Sequence, residues 1–377
     1  MIRNLKHSRK TGDEDYFTRI IEDAILEKVR NGFDPDRVDE LVSKAVPELI
    51  NELGPKLAAS MMKDKRSLRA YKRGERGYDR RLQKRWGKAL DLYAIMHVLC
   101  RELGEKAAHK EWTDLTTSQE CTLEALTGLH VTACRVAGEV LTLISHGQAR
   151  GALARCRTLH ETAIIACVIA DSATDPDHSD LAERFIDHEI IHLRRDALQF
   201  QKDHETLGEE PLDQGYLDEL EGRYNEVIAK YGPDFRREYG WAKKFSPDDN
   251  LRKLEEKASL SHFRPHYQWA SSEVHCGARG LAHNFLEYRG IIVRDAGKTN
   301  VGLIDPANMA IGSLLQVTFS LVVGGSPKGA DFEALLCMKA LEEMRTTCLD
   351  AFMDTQLGID RDEEKILKRI QRKSHKR

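Results

Sequence analysis

The amino-acid sequence predicts an all-α protein, a multi-helix bundle with one small β-hairpin near residues 290–304. Apolar residues recur at helical spacing through most of the 377 residues. Only Gly290–Ile304 has the pattern of strands, with Asp295–Lys298 as the expected hairpin tip. No G-x-G-x-x-G, G-x-x-x-x-G-K-[ST] or G-x-S-x-G motif occurs, so nothing indicates a nucleotide-binding or hydrolase sheet. We expect no cofactor.

Residues 1–88 form the predicted N-terminal region, with two or three helices over residues 15–62. A basic segment over residues 63–88 follows, and it contains twelve Lys or Arg and three acidic residues, a net charge of +9. Gly74 and Gly77 are expected to loosen its middle. This composition predicts a domain boundary or an exposed arm.

The same basic segment interleaves Tyr71, Tyr78 and Trp86 among its cations. Cations neutralise phosphates, and aromatic rings stack on unpaired bases. The residues expected to contact nucleic acid are Arg69, Lys72, Arg73, Arg76, Arg80, Arg81, Lys84 and Arg85. The alternative is a charged helix exposed to solvent, whose positive charge is neutralised by acidic residues on the surface of the same chain.

Residues 89–352 form the predicted helical core, which begins with an apolar stripe from Leu90. The predicted helices cover residues 117–145, 148–170, 179–206, 213–231, 265–288 and 306–352, the last interrupted at 324–327. Residues 353–377 form a charged tail that ends in a basic run.

The composition is typical of a cytoplasmic protein. We find no run of about 18 apolar residues and no signal peptide, so no membrane association is expected. The eight cysteines include no C-x-x-C pair, and most fall in apolar helical patterns. They are expected to be reduced core residues rather than nucleophiles.

Two groups of polar residues interrupt apolar helices. In the first, Arg157 and Glu161 lie four residues apart and share a helix face, with His160 close by. Charges among apolar residues must be paired or must face a cavity. The group is therefore either a structural ion pair or part of a polar groove.

The second group repeats about every four residues on the predicted helix 265–288. Its members are Tyr267, Ser271 or Ser272, His275, Arg279 and His283. Hydroxyl, imidazole and guanidinium groups bind anions and transfer protons near neutral pH. The alternative is a polar seam satisfied by hydrogen bonds between helices.

A third pattern, His188-Glu-Ile-Ile-His192, matches the H-E-x-x-H motif of zinc peptidases. Such enzymes need a third ligand and a sheet beside the helix. No strands are predicted before residue 188, and no third ligand is recognisable. We therefore expect no zinc at His188 and His192, and the zinc peptidase is the last of the alternatives.

Three short motifs resemble an uncharacterised bacterial helical family, the domain of unknown function five-six-seven-seven. They are Arg157-Thr-Leu-His-Glu161, Ala182-Glu-Arg-Phe185 and Tyr267-Gln-Trp-Ala-Ser-Ser272-Glu-Val-His275. The resemblance covers roughly residues 120–325. It implies an all-helical fold but no settled activity.

A looser likeness links the sequence to HEPN-type helical ribonucleases of toxin and phage-defence systems. Those enzymes carry Arg and His on one helix with four to six residues between them, whereas three residues separate Arg279 from His283. We interpret the protein as nucleic-acid-directed, with a metal-independent endoribonuclease as the leading activity. His275 or His283 would transfer protons, and Arg279 or Arg157 would bind phosphate.

The alternative from another class is a non-catalytic helical adaptor that binds a protein or nucleic-acid partner. Nucleic acid is the expected partner, and a homo-oligomer or a partner protein is left open. One structural prediction follows for either class: the helices that carry Arg157 and His275 should pack with their polar faces together.

Overall fold

A computed structural model describes residues 26–27, 30–31, 47, 50–51, 54–59, 61–110, 112–248, 250–275, 278, 285–288, 291–294 and 296–374. The chain divides into two compact units, Met1–Arg80 and Arg81–Arg377. Most of residues 1–60 lie outside the described residues, and so do most of the two or three helices expected there. The division falls within the basic segment.

The described elements confirm the all-α prediction. The helices, numbered from Lys65, are α1 Lys65–Ala108, α2 Thr117–Ser145, α3 Ala149–Ser172, α4 Leu181–Asp187, α5 Glu189–Leu207, α6 Gln214–Tyr231, α7 Leu251–Lys257, α8 Arg264–Val274, α9 Ile304–Phe319 and α10 Phe332–Ser374. A π-helical turn, Ser320–Gly324, extends α9. The strands β1 Phe285–Tyr288 and β2 Ile291–Arg294 pair antiparallel.

Helix α3 is the centre of the second unit. It packs against α2, α8 and α9. Its sequence explains this position, because small and branched apolar side chains recur around it and are fully buried, among them Cys156, Leu159 and Ile164. Helix α2 begins with a capping box in which Thr116 accepts from the backbone of Gln119 and Gln119 accepts from the backbone of Thr116. The predicted bounds of α2, 117–145, are confirmed.

The predicted helix 179–206 is wrong as one element. Helix α4 ends at Asp187 and α5 begins at Glu189, so His188 lies at their junction. The His188 ring is buried, and its Nε2 hydrogen-bonds to the carbonyls of Phe235 and Arg237 at 3.0 and 2.8 Å. These long-range contacts hold His188 at an interruption between the two helices that helical periodicity does not reveal.

The predicted helix 265–288 is also wrong as one element, because α8 ends at Val274 and Phe285–Tyr288 form strand β1. At His275 the backbone is extended, with φ −101° and ψ 127°. The hairpin then occupies Phe285–Arg294, with Phe285 opposite Arg294 and Tyr288 opposite Ile291. The prediction over 290–304 placed it several residues too late, because β1 begins at Phe285 and β2 ends at Arg294, before the expected tip at Asp295–Lys298.

Helix α1 runs without interruption through Gly74 and Gly77, so the expected loosening of the basic segment is wrong. From Leu82 onward its apolar stripe is buried in the second unit. There the indole of Trp86 donates to Asn300 at 3.1 Å and its ring lies 5.7 Å from that of Phe352. Trp86 is therefore a core residue and is not available to stack on a base.

Among the described residues, one stretch, Ile304–Gly324, is long and apolar enough to cross a membrane by length and composition. It is not an unbroken apolar run, because Asp305, Asn308 and Gln316 interrupt it. Within its most apolar 18-residue window 67% is buried, and the helix packs chiefly against α2 and α3. Because the helix is mostly buried, its high hydropathy is that of a core helix in the bundle.

The seven described cysteines are free thiols, and four of them are buried. Burial raises the pKa of Cys100 to about 12, of Cys134 to about 11 and of Cys348 to about 12. A thiol with a raised pKa carries little thiolate near neutral pH. The expected core role is confirmed for the four buried cysteines, Cys100, Cys134, Cys156 and Cys348, and Cys276 lies outside the described residues.

Candidate functional site

The candidate site lies where α8 packs across the middle of α3. Helix α3 provides Arg157 and Glu161, which are one turn apart. Helix α8 provides Tyr267, and His275 follows directly after its end. The prediction that the polar faces of these two segments meet is confirmed.

These four side chains form one hydrogen-bonded group, called here the polar tetrad. Arg157 Nε donates to Glu161 Oε1 at 3.0 Å and to the hydroxyl of Tyr267 at 3.2 Å. That hydroxyl donates to Glu161 Oε1 at 2.6 Å. Arg157 Nη1 lies 2.9 Å from His275 Nε2. The guanidinium thus joins a carboxylate, a phenol and an imidazole.

The protonation states in the polar tetrad follow from these contacts. A guanidinium can only donate, so His275 Nε2 accepts, and the neutral ring carries its proton on Nδ1. Burial and the hydrogen bond to Glu161 raise the pKa of Tyr267, which stays protonated. Desolvation opposes the charge of Arg157, but Tyr267 and Glu161 outweigh it and raise the arginine pKa.

A buried ion-paired group, formed by Glu255, His160 and Arg264, packs against the tetrad. Glu255 on α7 is 1% exposed, and it binds His160 Nε2 at 2.9 Å and Arg264 Nη1 at 3.0 Å. Arg264 lies over the ring of Tyr267, with its guanidinium carbon 5.0 Å from the ring centre. The imidazole of His160 is 5.8 Å from the same ring. Glu255 therefore holds two groups that pack against Tyr267.

Sequence reasoning missed Glu255, Arg264 and Tyr239. Burial and the charge of Glu161 raise the pKa of Tyr239, which places this phenol in the electrostatic surroundings of the tetrad. Arg264 stands three residues before Tyr267, a spacing that brings two side chains together on a helix. This spacing could have identified Arg264 from the sequence. Nothing local in the sequence singles out Glu255 or Tyr239.

The tetrad is partly open to solvent. The side chains of Arg157 and Glu161 are 26% and 30% exposed, and His275 is exposed. The contacts above use Nε and Nη1 of Arg157, which leaves Nη2 for an anion. The arrangement can bind an anionic oxygen beside an imidazole lone pair, a combination suited to proton transfer at a phosphate ester.

Residues 123–290 match one family, described as Family of unknown function (DUF5677). This region of the chain is similar to the DUF5677 family. The match begins and ends inside the range 120–325 expected from the motifs, and it includes the whole polar tetrad. No curated protein and no solved structure matches the chain. The likeness to HEPN-type ribonucleases therefore stays a prediction.

One of the motifs that carried the DUF5677 resemblance is structural. Arg184 of Ala182-Glu-Arg-Phe185 donates to the carbonyl of Trp241 at 3.0 Å and stacks on Tyr231. Phe185 packs edge-on against Trp241, at 5.0 Å between ring centres. This motif fastens α4 to the segment that follows α6.

The remaining candidate residues do not join the tetrad in the described part of the chain. The hydroxyl of Ser272 donates to the carbonyl of Trp269 in its own helix, at 2.7 Å. Arg279 and His283 lie outside the described residues. Because the chain is extended at His275, the single helical stripe that would have carried all five residues ends there.

The H-E-x-x-H pattern, which lies within the matched residues, has a geometry unlike that of a zinc helix. His188 Nε2 donates to backbone carbonyls, and its Nδ1 is the only nitrogen left. His192 Nδ1 accepts from Arg195 at 3.2 Å. Among the described residues, no three His, Cys, Asp or Glu side chains are grouped to hold a metal ion.

The eight cations predicted to contact nucleic acid are all exposed. Five of them belong to the first unit and three, Arg81, Lys84 and Arg85, to the second. Arg85 is 3.4 Å from Asp362 of α10, so its charge is partly neutralised within the chain. Tyr71 is 64% exposed, in contrast to buried Trp86.

Proposed function

We propose that this protein is a nucleic-acid-directed protein of a bacterial defence or toxin system, and that the polar tetrad cleaves RNA without a metal ion. One observation carries the proposal: the guanidinium of Arg157 lies 2.9 Å from an unprotonated imidazole nitrogen of His275 on a partly open surface. A buried structural ion pair would need neither the exposure nor the imidazole.

The proposed reaction uses the 2′-hydroxyl of RNA as its own nucleophile. His275 Nε2 takes the 2′-hydroxyl proton, and the oxygen attacks the neighbouring phosphorus. The bond to the 5′-oxygen breaks, which leaves a 2′,3′-cyclic phosphate and a 5′-hydroxyl end. His283, assigned from sequence, returns a proton to the leaving oxygen.

Arg157 has two tasks in this scheme. In the free protein it donates to His275, and Glu161 and Tyr267 hold it in place. When its hydrogen bonds turn to the phosphate, Nε2 of His275 is released to act as base. The guanidinium then stabilises the charge that develops on the phosphorane oxygens.

The basic segment supplies the affinity for nucleic acid in this proposal. Its exposed cations neutralise phosphates, and the counterions they release make binding strongly dependent on salt. Replacing Arg80, Arg81, Lys84 and Arg85 by Ala should weaken binding to all RNA and DNA sequences alike and flatten the salt slope. Fluorescence anisotropy across a salt series measures both effects. Equal affinities for wild type and variant would remove this role of the segment.

Cleavage is tested with purified protein and a uridine-rich RNA oligonucleotide in the presence of a chelator. His275→Ala and Arg157→Lys should each reduce the rate about 10²- to 10⁴-fold, the usual range for a general base or a charge-stabilising donor. His204→Ala and Arg135→Ala serve as matched controls. His204 lies near the end of α5, and Arg135 pairs with Glu139 on the exposed face of α2.

The chemistry of the ends distinguishes this site from a contaminating nuclease. The products should carry 2′,3′-cyclic phosphates, and an RNA with 2′-O-methyl groups should remain intact. Salt-dependent binding without cleavage would favour the helical adaptor. If wild type shows neither cleavage nor binding at low salt, the nucleic-acid proposal is wrong.

A further inference from the structure

A pocket separate from the polar tetrad lies between α4 and the segment that follows α6. Its volume is about 360 Å³, which is within the range of small-molecule sites. Among the described residues, its charged lining consists of three cations, Arg184, Lys243 and Lys244, and one carboxylate, Asp234. All four belong to the second unit. The walls of the pocket therefore carry more positive than negative charge.

Arg184 is the most buried cation of this pocket. Its side chain is 11% exposed, and its Nε donates to the carbonyl of Trp241 at 3.0 Å. The guanidinium carbon lies 4.5 Å from the ring centre of Tyr231. These contacts hold the guanidinium in place through Nε and the ring, and they leave the fork formed by Nη1 and Nη2.

The fork of Arg184 has no hydrogen-bond acceptor among the described residues. The carboxylate of Asp180 lies 3.8 Å from Nη1, which is too far for a hydrogen bond. Nη1 and Nη2 both keep solvent-accessible area, and the side chain lines the pocket. The two atoms carry four N–H donors in one plane, the geometry that binds a phosphate through two parallel hydrogen bonds.

The two lysines are more exposed than Arg184. Lys243 pairs with Asp234 at 3.0 Å and Lys244 pairs with Asp180 at 3.1 Å, with 32% and 50% of the lysine side chains exposed. Exposed pairs of this kind are weak, so a bound anion can take the place of either carboxylate. The two carboxylates offset two of the three positive charges, and the charge without a hydrogen-bonded partner is that of Arg184.

Two glycines keep the backbone of the pocket bare. A Cβ on Gly240 would lie 2.4 Å from the carbonyl oxygen of Phe235, so a larger residue does not fit there. Gly232 has a φ of +87°, in the region that favours glycine. Because both glycines line the pocket, its space is left open by a backbone that close packing and turn geometry hold in place.

We propose that this pocket binds a small molecule that carries a phosphate monoester, and that the fork of Arg184 donates to two of the phosphate oxygens. Lys243 and Lys244 turn from their carboxylates to the remaining oxygens. A dianion suits this set because it can replace both carboxylates, whereas a monoanion cannot. The proposal does not depend on RNA cleavage, and it gives Arg184 a role besides fastening α4.

The test compares methyl phosphate with dimethyl phosphate and acetate by isothermal titration calorimetry, at neutral pH in a phosphate-free buffer. Methyl phosphate is mostly a dianion there, because the second pKa of a phosphate monoester is about 6. The other two probes are monoanions, and dimethyl phosphate represents the backbone phosphate of a nucleic acid. Methyl phosphate should bind at one site per chain, about fivefold more tightly than either monoanion.

Variants assign the binding to this pocket. Arg184→Lys keeps the charge but loses the fork, and it should weaken methyl phosphate binding about tenfold. Arg194→Lys is its matched control, because this arginine also stacks on a tyrosine and donates to a carboxylate, but outside the pocket. The double variant Lys243→Met/Lys244→Met should likewise weaken binding about tenfold. Lys253→Met, which removes a surface ion pair elsewhere, should bind like wild type.

Circular dichroism shows whether each variant folds. If Arg184→Lys does not fold, the double lysine variant decides the matter, because its ion pairs are exposed and weak. Four results would overturn the proposal. They are no saturable binding of methyl phosphate, equal or tighter binding of dimethyl phosphate or acetate, wild-type affinity in a folded Arg184→Lys variant, and equal losses in the double lysine variant and Lys253→Met.

Discussion

Glu255 offers the sharpest test of how the candidate site is held together. Its carboxylate is 1% exposed, and it accepts charge-assisted hydrogen bonds from His160 at 2.9 Å and Arg264 at 3.0 Å. Glu255→Gln keeps the shape of the side chain but can accept from only one of these donors. The amide NH₂ then faces the other donor.

The expected cost follows from what each partner can do after the change. Arg264 is 30% exposed and can turn to water, whereas His160 is 1% exposed and cannot. Losing one charge-assisted bond beside a buried ring should lower the free energy of unfolding by about 2–3 kcal/mol. Glu255→Ala leaves both donors unpaired and should cost about 3–5 kcal/mol.

Urea denaturation followed by circular dichroism measures these changes as shifts of the midpoint. Glu256→Gln is the matched control, because this neighbouring carboxylate pairs with Arg252 and Lys253 at the surface. Its midpoint should not move. The double variant His160→Gln/Glu255→Gln should cost less than the sum of the single variants. If Glu255→Gln unfolds at the same urea concentration as Glu256→Gln, the buried pair does not support the site.

Three further outcomes are expected. Gly104→Ala should destabilise the protein by about 1–3 kcal/mol, because the new methyl group would lie 2.0 Å from the ring of His130. Gly128→Ala, whose methyl group would point into open space, should stabilise the protein slightly. Thermal melts should therefore show a lower melting temperature for the first variant and a slightly higher one for the second. Burial lowers the pKa of His130 to about 4. The contribution of the neutral ring to the free energy of unfolding is therefore fully present above about pH 6.5 and is lost as the pH falls towards 4. Chemical denaturation across that pH range should show a loss of about 3 kcal/mol. Elemental analysis should find no zinc at His188 and His192, and one equivalent of zinc removed by His188→Ala would restore the peptidase interpretation.

The sequence by itself determined the helical class and the bounds of three helices, α2, α3 and α6. Apolar periodicity is a local signal, so α2 and α3 could be located from it nearly to the residue. It also singled out Arg157, Glu161, Tyr267 and His275, because polar side chains interrupt otherwise apolar patterns there. These four residues form the tetrad.

Only the tertiary structure decided the features that depend on distant partners. At the junction of α4 and α5, His188 is held by carbonyls almost fifty residues away. Trp86 is buried against Asn300 and Phe352 although its neighbours in sequence are charged. Glu255 likewise becomes part of the site only through contacts with α3 and α8. Periodicity reports which face of a helix is buried, but the partner that covers that face is set by the packing of the whole chain.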